Sequence, residues 1–151
     1  MPDFSQKSIN NLTTCDRDLQ ELFFHVITSY DCTIIEGYRP ESKQKELYDS
    51  GKSKVLHSKH NESPSLAVDV GPYIQGRGIP WPQTPDWSNE AERNKYVKDL
   101  AQFYHFAGWV EGTARWLGLQ IRWGGDWDRD HNLSDQSFND LVHFELLRST
   151  T

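Results

Sequence analysis

Cysteine is scarce in this chain: Cys15 and Cys32 are the only two in 151 residues. Two thiols are too few for a disulfide framework or a four-thiolate zinc site, so both read as reduced packing residues. Basic charge is also short, with 16 Lys and Arg against 22 Asp and Glu and a formal charge of −6. That balance argues against a nucleic-acid backbone or an anionic membrane as the main partner. No apolar run approaches the ~18 residues of a membrane span. The opening MPDFSQKSINN has neither a basic segment nor an apolar stretch, so no secretory signal is expected. No internal repeat is visible. A chain of this length buries roughly two-thirds of its unfolded surface, which predicts one compact domain without a covalent staple. Aromatic residues, by contrast, make up 13% of the chain, and all six tryptophans fall between Trp81 and Trp127.

The pattern of elements is mixed. Residues 1–12 read as a short polar arm, and 13–151 as the single domain. Leu19, Leu22, Phe23, Val26 and Ile27 share the spacing of one apolar helical face, predicting a helix from about Cys15 to Ser29, with Thr13 and Asp16 as a capping box. The β-branched CTIIEGY, Cys32 to Tyr38, reads as a strand. Glu41 to Ser50 is rich in helix formers and stops at Gly51. LAVDV, Leu66 to Val70, reads as a second strand, and the proline-bearing stretch from Tyr73 to Ser88 as a loop. Helix is predicted from about Asn89 to Ala107, with Tyr96, Val97, Leu100, Phe103, Tyr104 and Ala107 buried. Gly108 is expected to interrupt it before a second helical stretch to Leu117. Leu119 to Trp123 and Leu141 to Leu147 complete the strands. The order predicts an α+β domain with a small antiparallel sheet, since the strand–helix alternation of a doubly wound fold is missing.

Three polar residues stand where this pattern does not ask for them. Asp69 interrupts an apolar strand, His143 interrupts the last strand in DLVHFEL, and His60 lies nine residues before Asp69. A buried carboxylate without a partner costs several kcal/mol. Two neutral imidazoles around a divalent metal would supply that partner; structural histidines satisfied in the core would do so equally well. A His, Asp, His set suits Zn²⁺ and leaves a fourth position for water, whose pKa zinc lowers towards ~7. Asp140, three residues before His143, is placed to exchange a proton there without binding metal. His25, His57, His105 and His131 lie in helices or polar loops and read as structural or surface residues.

SKHNESPSLAVDV followed by DLVHFEL resembles the zinc D-Ala-D-Ala carboxypeptidase and L-alanyl-D-glutamate endopeptidase family, and its phage endolysin branch in particular. The matching positions are Ser58, His60, Ala67, Asp69, Asp140 and His143. EGYRPESKQKELYDSG is similar to the family's upstream segment, with Arg39 at the place of a substrate-polarising arginine and Gln44 after it. IRWGGDW resembles the stretch that precedes the closing motif in phage members. Two departures stand out: Asn61 to Leu66 has no glycine and is longer than usual, and Asp140 replaces the glutamate of the dipeptidase branch.

The resemblance implies a fold of the D-Ala-D-Ala carboxypeptidase and hedgehog type with a zinc site at the sheet. It implies His60, Asp69 and His143 as Zn²⁺ ligands, Asp140 and Arg39 as catalytic residues, and Arg39, Gln44 and Ser58 at the substrate. The function implied is hydrolysis of the L-Ala–D-Glu bond in peptidoglycan stem peptides. The alternatives are a D-Ala-D-Ala carboxypeptidase or dipeptidase, and an inactive wall-binding module. A monomer without stable membrane association is expected, made in the host cytoplasm and acting on the wall in the periplasm after a holin opens the membrane.

Asp126, Asp128, Asp130 and Asn132 alternate in DWDRDHN like the start of a Ca²⁺ loop, but His131 stands at the glycine position and Ser137 at the closing glutamate. Trp109 and Trp116, seven apart, are expected on one buried helix face. Trp123 and Trp127 are expected to fill core or line a cleft, and Trp81 and Trp87 to lie over the site as a flap.

Overall fold

Two polar side chains set the first helices. In the computed structural model, which describes residues 2–148, Ser5 accepts from the Ser8 amide and starts α1 (Gln6–Leu12), and Asp16 accepts from the Asp18 amide and starts α2 (Arg17–Ile27). Residues 2–12 are therefore no polar arm. Phe4 and Leu12 are buried and Ile9 packs against the core, an apolar set too sparse to show as a periodic stripe. Thr13 caps the end of α1 and takes no part in a capping box with Asp16.

The remaining elements are β1 (Cys32–Glu36), α3 (Glu41–Asp49), β2 (Ala67–Pro72), α4 (Glu90–Trp116), β3 (Ile121–Gly124) and β4 (Asp140–Leu146). The four strands form one antiparallel sheet in the order β1-β2-β4-β3. The expected α+β class with a small antiparallel sheet is what the chain adopts.

The two faces of that sheet divide the work. Side chains alternate along a strand, so Val68 and Val70 of β2 and Phe144 and Leu146 of β4 enter the core. Phe144 meets Phe23 of α2 and Phe106 of α4 edge to face, with ring centroids 5.7 and 6.1 Å away. Asp69, His143 and Glu145 occupy the alternate positions and emerge on the other face. Register fixes their meeting: Asp69 pairs with His143, Val68 with Phe144 and Ala67 with Glu145. A slip of one residue would exchange the two sets and bury the charges in the core.

Helix α4 is one continuous rod of 27 residues. Gly108 does not interrupt it. The buried stripe is Asp99, Phe103, Phe106, Ala107, Val110 and Ala114. Trp109 and Trp116 lie off that stripe and are 46% and 75% exposed, contrary to the expected core placement. Val97 is likewise exposed. Trp81 packs against Phe103 and Trp87 meets Tyr96 edge to face, so both lie along α4 and neither lines the cleft described below.

Candidate active site

His60 sits on a short 3₁₀ turn, Lys59–Asn61, that the sequence builds with local hydrogen bonds. Ser58 Oγ accepts from the His60 amide at 3.2 Å, and Asn61 Oδ1 accepts from the Ser58 amide at 2.7 Å. The turn is tied to the segment after β1 as well. The Arg39 amide donates to the His60 carbonyl at 2.7 Å, and Asn61 Nδ2 donates to the Arg39 carbonyl at 2.8 Å. Gly37, whose carbonyl meets the His60 ring, lies against Thr14, Asn11 and Cys15 so closely that a Cβ would collide with them.

His60, Asp69 and His143 come together as expected. One ligand atom from each lies within 4.8 Å of the others. His60 Nε2 is 3.0 Å and His143 Nδ1 is 3.4 Å from the same Asp69 oxygen, Oδ1. The outer nitrogens are engaged: His60 Nδ1 lies 2.7 Å from the Gly37 carbonyl, and His143 Nε2 lies 2.8 Å from Glu145 Oε1. A carbonyl and a carboxylate only accept, so both outer nitrogens carry protons. In the neutral imidazoles the two inner nitrogens are then lone pairs that face a carboxylate. Three acceptors converging on one point fit a divalent cation, and outer hydrogen bonds of this kind are what orient histidine ligands around one.

In their charged forms the same rings carry N–H at the inner nitrogens as well and donate to Asp69. Burial pushes the Asp69 carboxyl up, yet the hydrogen bonds with His143 and His60 outweigh it and hold the group below the usual carboxylate range. Burial opposes the charging of His143, but its bonds to Asp69 and Glu145 push it up to about 9. Glu145 is lowered to about 2, since His143, Arg122 and Lys59 more than offset its burial.

Asp140 opens β4 opposite Gly124 across a bulge, where a Cβ on Gly124 would strike the Asp140 backbone. Its carboxyl is raised, first by burial and then by the negative charge of Asp69, with His143, His60 and Arg39 pulling the other way. Arg39 approaches the far oxygen of Asp69, with Nη2 3.7 Å from Oδ2. Glu36 grips its guanidinium, Nε lying 2.7 Å from Oε1, and Gln44 Oε1 accepts from Nη1 at 2.7 Å.

Gln44 does not reach the cleft. It is fully buried, and its amide nitrogen donates to Ser53 Oγ and the Val55 carbonyl. The expected place at the substrate is thus replaced by a place behind Arg39. Ser58 does line the cleft, along with Arg39, His60, Trp127, Asp140 and His143, around a volume of about 710 Å³. Trp127 stands with its ring centroid 5.4 Å from that of His143, and Trp123 is core.

The sequence pattern alone does not mark Glu145, Arg122 and Lys59. Glu145 follows His143 by two in an alternating strand, so it shares the face of His143, and that spacing was the available signal. Arg122 Nη2 at 2.9 Å and Lys59 Nζ at 3.3 Å both pair with Glu145 Oε2, linking three segments behind the histidine.

A profile of the family described as "Phage L-alanyl-D-glutamate peptidase" matches residues 2–147. The L-alanyl-D-glutamate peptidase of Escherichia phage T5 is 26% identical over 136 residues, which cover 88% of this chain and 87% of that protein. The peptidoglycan L-alanyl-D-glutamate endopeptidase CwlK of Bacillus subtilis (strain 168) is 27% identical over 124 residues, 78% of this chain and 61% of CwlK. Among solved structures, the Serratia marcescens L-Ala D-Glu endopeptidase ChiX superimposes with a TM-score of 0.66 over 96% of this chain and 90% of ChiX. Its sequence identity of 24% makes this a likeness of fold.

Proposed function

Because the chain belongs to the phage L-alanyl-D-glutamate peptidase family, we propose that it is a zinc-dependent peptidoglycan endopeptidase cutting the L-Ala–D-Glu bond of stem peptides. The observation that carries the reading is the convergence of His60 Nε2, His143 Nδ1 and Asp69 Oδ1, with both outer imidazole nitrogens already bound to acceptors. Two nitrogens and one oxygen suit zinc, and three protein ligands are the number found in catalytic sites. A zinc ion held there supplies Lewis-acid chemistry, polarising a carbonyl and making water acidic enough to lose a proton near neutral pH.

The chain's own groups perform the rest. The carboxylate of Asp140 takes a proton from the attacking water and later delivers it to the departing D-Glu nitrogen. Its raised pKa brings it closer to the range in which one group serves as both base and acid. The Arg39 guanidinium, fixed by Glu36 and Gln44, presents its remaining N–H groups where negative charge grows on the scissile carbonyl oxygen. Gln44 acts through Arg39 as a positioning residue. Ser58 holds the turn that carries His60 and offers its edge of the cleft to the peptide. Glu145 keeps the His143 proton on Nε2, which leaves Nδ1 free as a ligand atom.

No helix among the described residues is long and apolar enough to cross a membrane. The substrate is placed in the cell wall, reached with the help of a separate membrane-opening protein. Digestion of purified sacculi tests the function. The expected product has a new amino terminus on D-Glu. Release of free D-Ala would support the carboxypeptidase alternative instead, and no released terminus from any wall chemotype would support a binding module.

A further inference from the structure

The proposed cut puts free negative charge beside the metal site. In a stem peptide D-Glu continues through its γ-carboxyl, so its α-carboxylate hangs from the carbon next to the scissile nitrogen. A diaminopimelate in the third place brings another. Asp69 and Asp140 repel such charge, and Arg39 is already gripped by Glu36 and Gln44. A carboxylate on that side of the bond therefore calls for a cation other than Arg39.

Arg122 on β3 has the capacity. It stands opposite Glu145 across the sheet, and its Nη2 donates to Glu145 Oε2 at 2.9 Å. A guanidinium carries five N–H donors. Among the described residues Glu145 is the one acceptor this guanidinium meets, and its Nε is buried without a hydrogen-bond partner. Glu145 is itself shared, with Lys59 Nζ 3.3 Å from the same Oε2. Among the described residues no other acid pairs with either cation. With His143 neutral as a metal ligand, one carboxylate answers two cations, and both of them line the cleft.

The position of this guanidinium is fixed as well. Arg122 Cζ lies over the Trp127 ring, 5.4 Å from its centroid, and the same ring stands 5.4 Å from the His143 imidazole. One indole therefore separates the guanidinium from a metal ligand. A guanidinium binds a carboxylate through its edge, which contact with an aromatic face leaves free. Charge, spare donors and a rigid support meet at the end of the cleft beyond His143.

Resting on the endopeptidase reading, we propose that Arg122, with Lys59 beside it, binds a carboxylate on the D-Glu side of the scissile bond. The enzyme then selects stem peptides in which that carboxylate is free over those in which it is amidated. An amide brings no charge to balance the second cation, and its NH₂ opposes the guanidinium donors. Arg122 sets specificity in addition to supporting Glu145. The α-carboxylate of D-Glu and the extra carboxylate of diaminopimelate share this chemistry, and amidating one or omitting the other tells them apart.

The test measures kcat and KM of the zinc-loaded full chain on L-Ala-γ-D-Glu-L-Lys and on the same peptide amidated at the D-Glu α-carboxylate. The pair is then repeated with diaminopimelate in the third place. Amidation should lower kcat/KM at least about tenfold, chiefly through KM. Arg122→Gln should remove most of that preference, and Arg122→Lys should keep part of it. Metal analysis and thermal unfolding of both variants report on the support of Glu145, whose loss lowers acid and amide alike. A preference that survives Arg122→Gln would overturn the proposal, as would equal cleavage of all four peptides by the wild type. Preference for diaminopimelate over lysine without any effect of amidation at D-Glu would support the site and place the third residue's carboxylate in it. Calorimetric binding of the product γ-D-Glu-L-Lys keeps the two readings apart when no peptide is cut. Tighter binding of the acid than of its amide, lost in Arg122→Gln, would support the subsite and refute the cut; equal or absent binding would overturn the subsite. Cleavage without discrimination leaves the peptidase reading standing.

Discussion

Glu145→Gln removes one charge behind the histidine cluster and keeps the side chain's volume. In the native protein both oxygens of Glu145 are used: Oε1 takes the His143 Nε2 proton at 2.8 Å, and Oε2 faces Arg122 Nη2 at 2.9 Å and Lys59 Nζ at 3.3 Å. Glutamine has one acceptor for these two duties. With its NH₂ towards His143, the imidazole must accept at Nε2 and move its proton to Nδ1, the nitrogen that faces Asp69. With its NH₂ towards Arg122 and Lys59, donors oppose donors at a site only 5% exposed, at about 1–3 kcal/mol for each unsatisfied group. Loss of such an outer partner weakens metal affinity by about 10–100-fold, equivalent to about 1.4–2.7 kcal/mol. Zinc affinity measured by competition with a chromogenic chelator reads the first effect, and thermal unfolding of the metal-free protein reads the second. A folded variant with wild-type zinc affinity would refute the role assigned to Glu145 and weaken the ligand set with it.

Three further outcomes are expected. Asp140→Asn should fold and hold zinc like the wild type while turnover drops by about 10²–10⁴-fold; loss of zinc, measured by metal analysis, would make Asp140 a ligand instead of a proton carrier. Asp99 is lowered to about 2 by Arg77, with burial opposing and Lys95 assisting. Its folded value lies below the unfolded one, so its contribution is present above about pH 4 and lost as pH falls to about 2. Because Arg77 and Lys95 are largely solvated, Asp99→Asn should lower stability by about 1 kcal/mol at pH 7, and the difference should vanish at the acid end of a thermal unfolding series. Phe144→Ala, at a fully buried side chain between Phe23 and Phe106, should cost about 3–5 kcal/mol in denaturant unfolding; a loss below about 1 kcal/mol would mean that the core is not centred there.

The histidine cluster was legible because strand alternation makes a charge conspicuous. Asp69 interrupts LAVDV, and no local structure asks for it, so a partner had to come from elsewhere. Glu145 escaped notice for the opposite reason: at the end of the chain, among Phe144, Leu146 and Leu147, a single acid reads as the polar side of a strand, and only the pairing of β4 with β3 shows that it meets Arg122. Gln44 was read from its motif, which preserves the residue but not the direction of its side chain. Helix α1 shows no periodic stripe because its buried residues are Ser8 and Leu12, and the apolar Phe4 that joins them lies before the helix. The tryptophans misled through their size. Seven-residue spacing places Trp109 and Trp116 on a common face, but which face a helix buries is decided by Phe106, Ala107 and Val110 in the core shared with the sheet and α2. The glycine at position 108 was read as a break, yet nothing lies within 4 Å of where its Cβ would be, and α4 passes through it intact.

The proposed hydrolysis depends on one metal held by His60, Asp69 and His143. Zinc content and sacculus hydrolysis measured on the same preparations test it most directly. Wild-type protein should carry one zinc per chain, lose hydrolysis when a chelator removes it and regain hydrolysis when zinc is restored, while His143→Ala should neither retain zinc nor hydrolyse. Full hydrolysis by metal-free wild-type protein would contradict it.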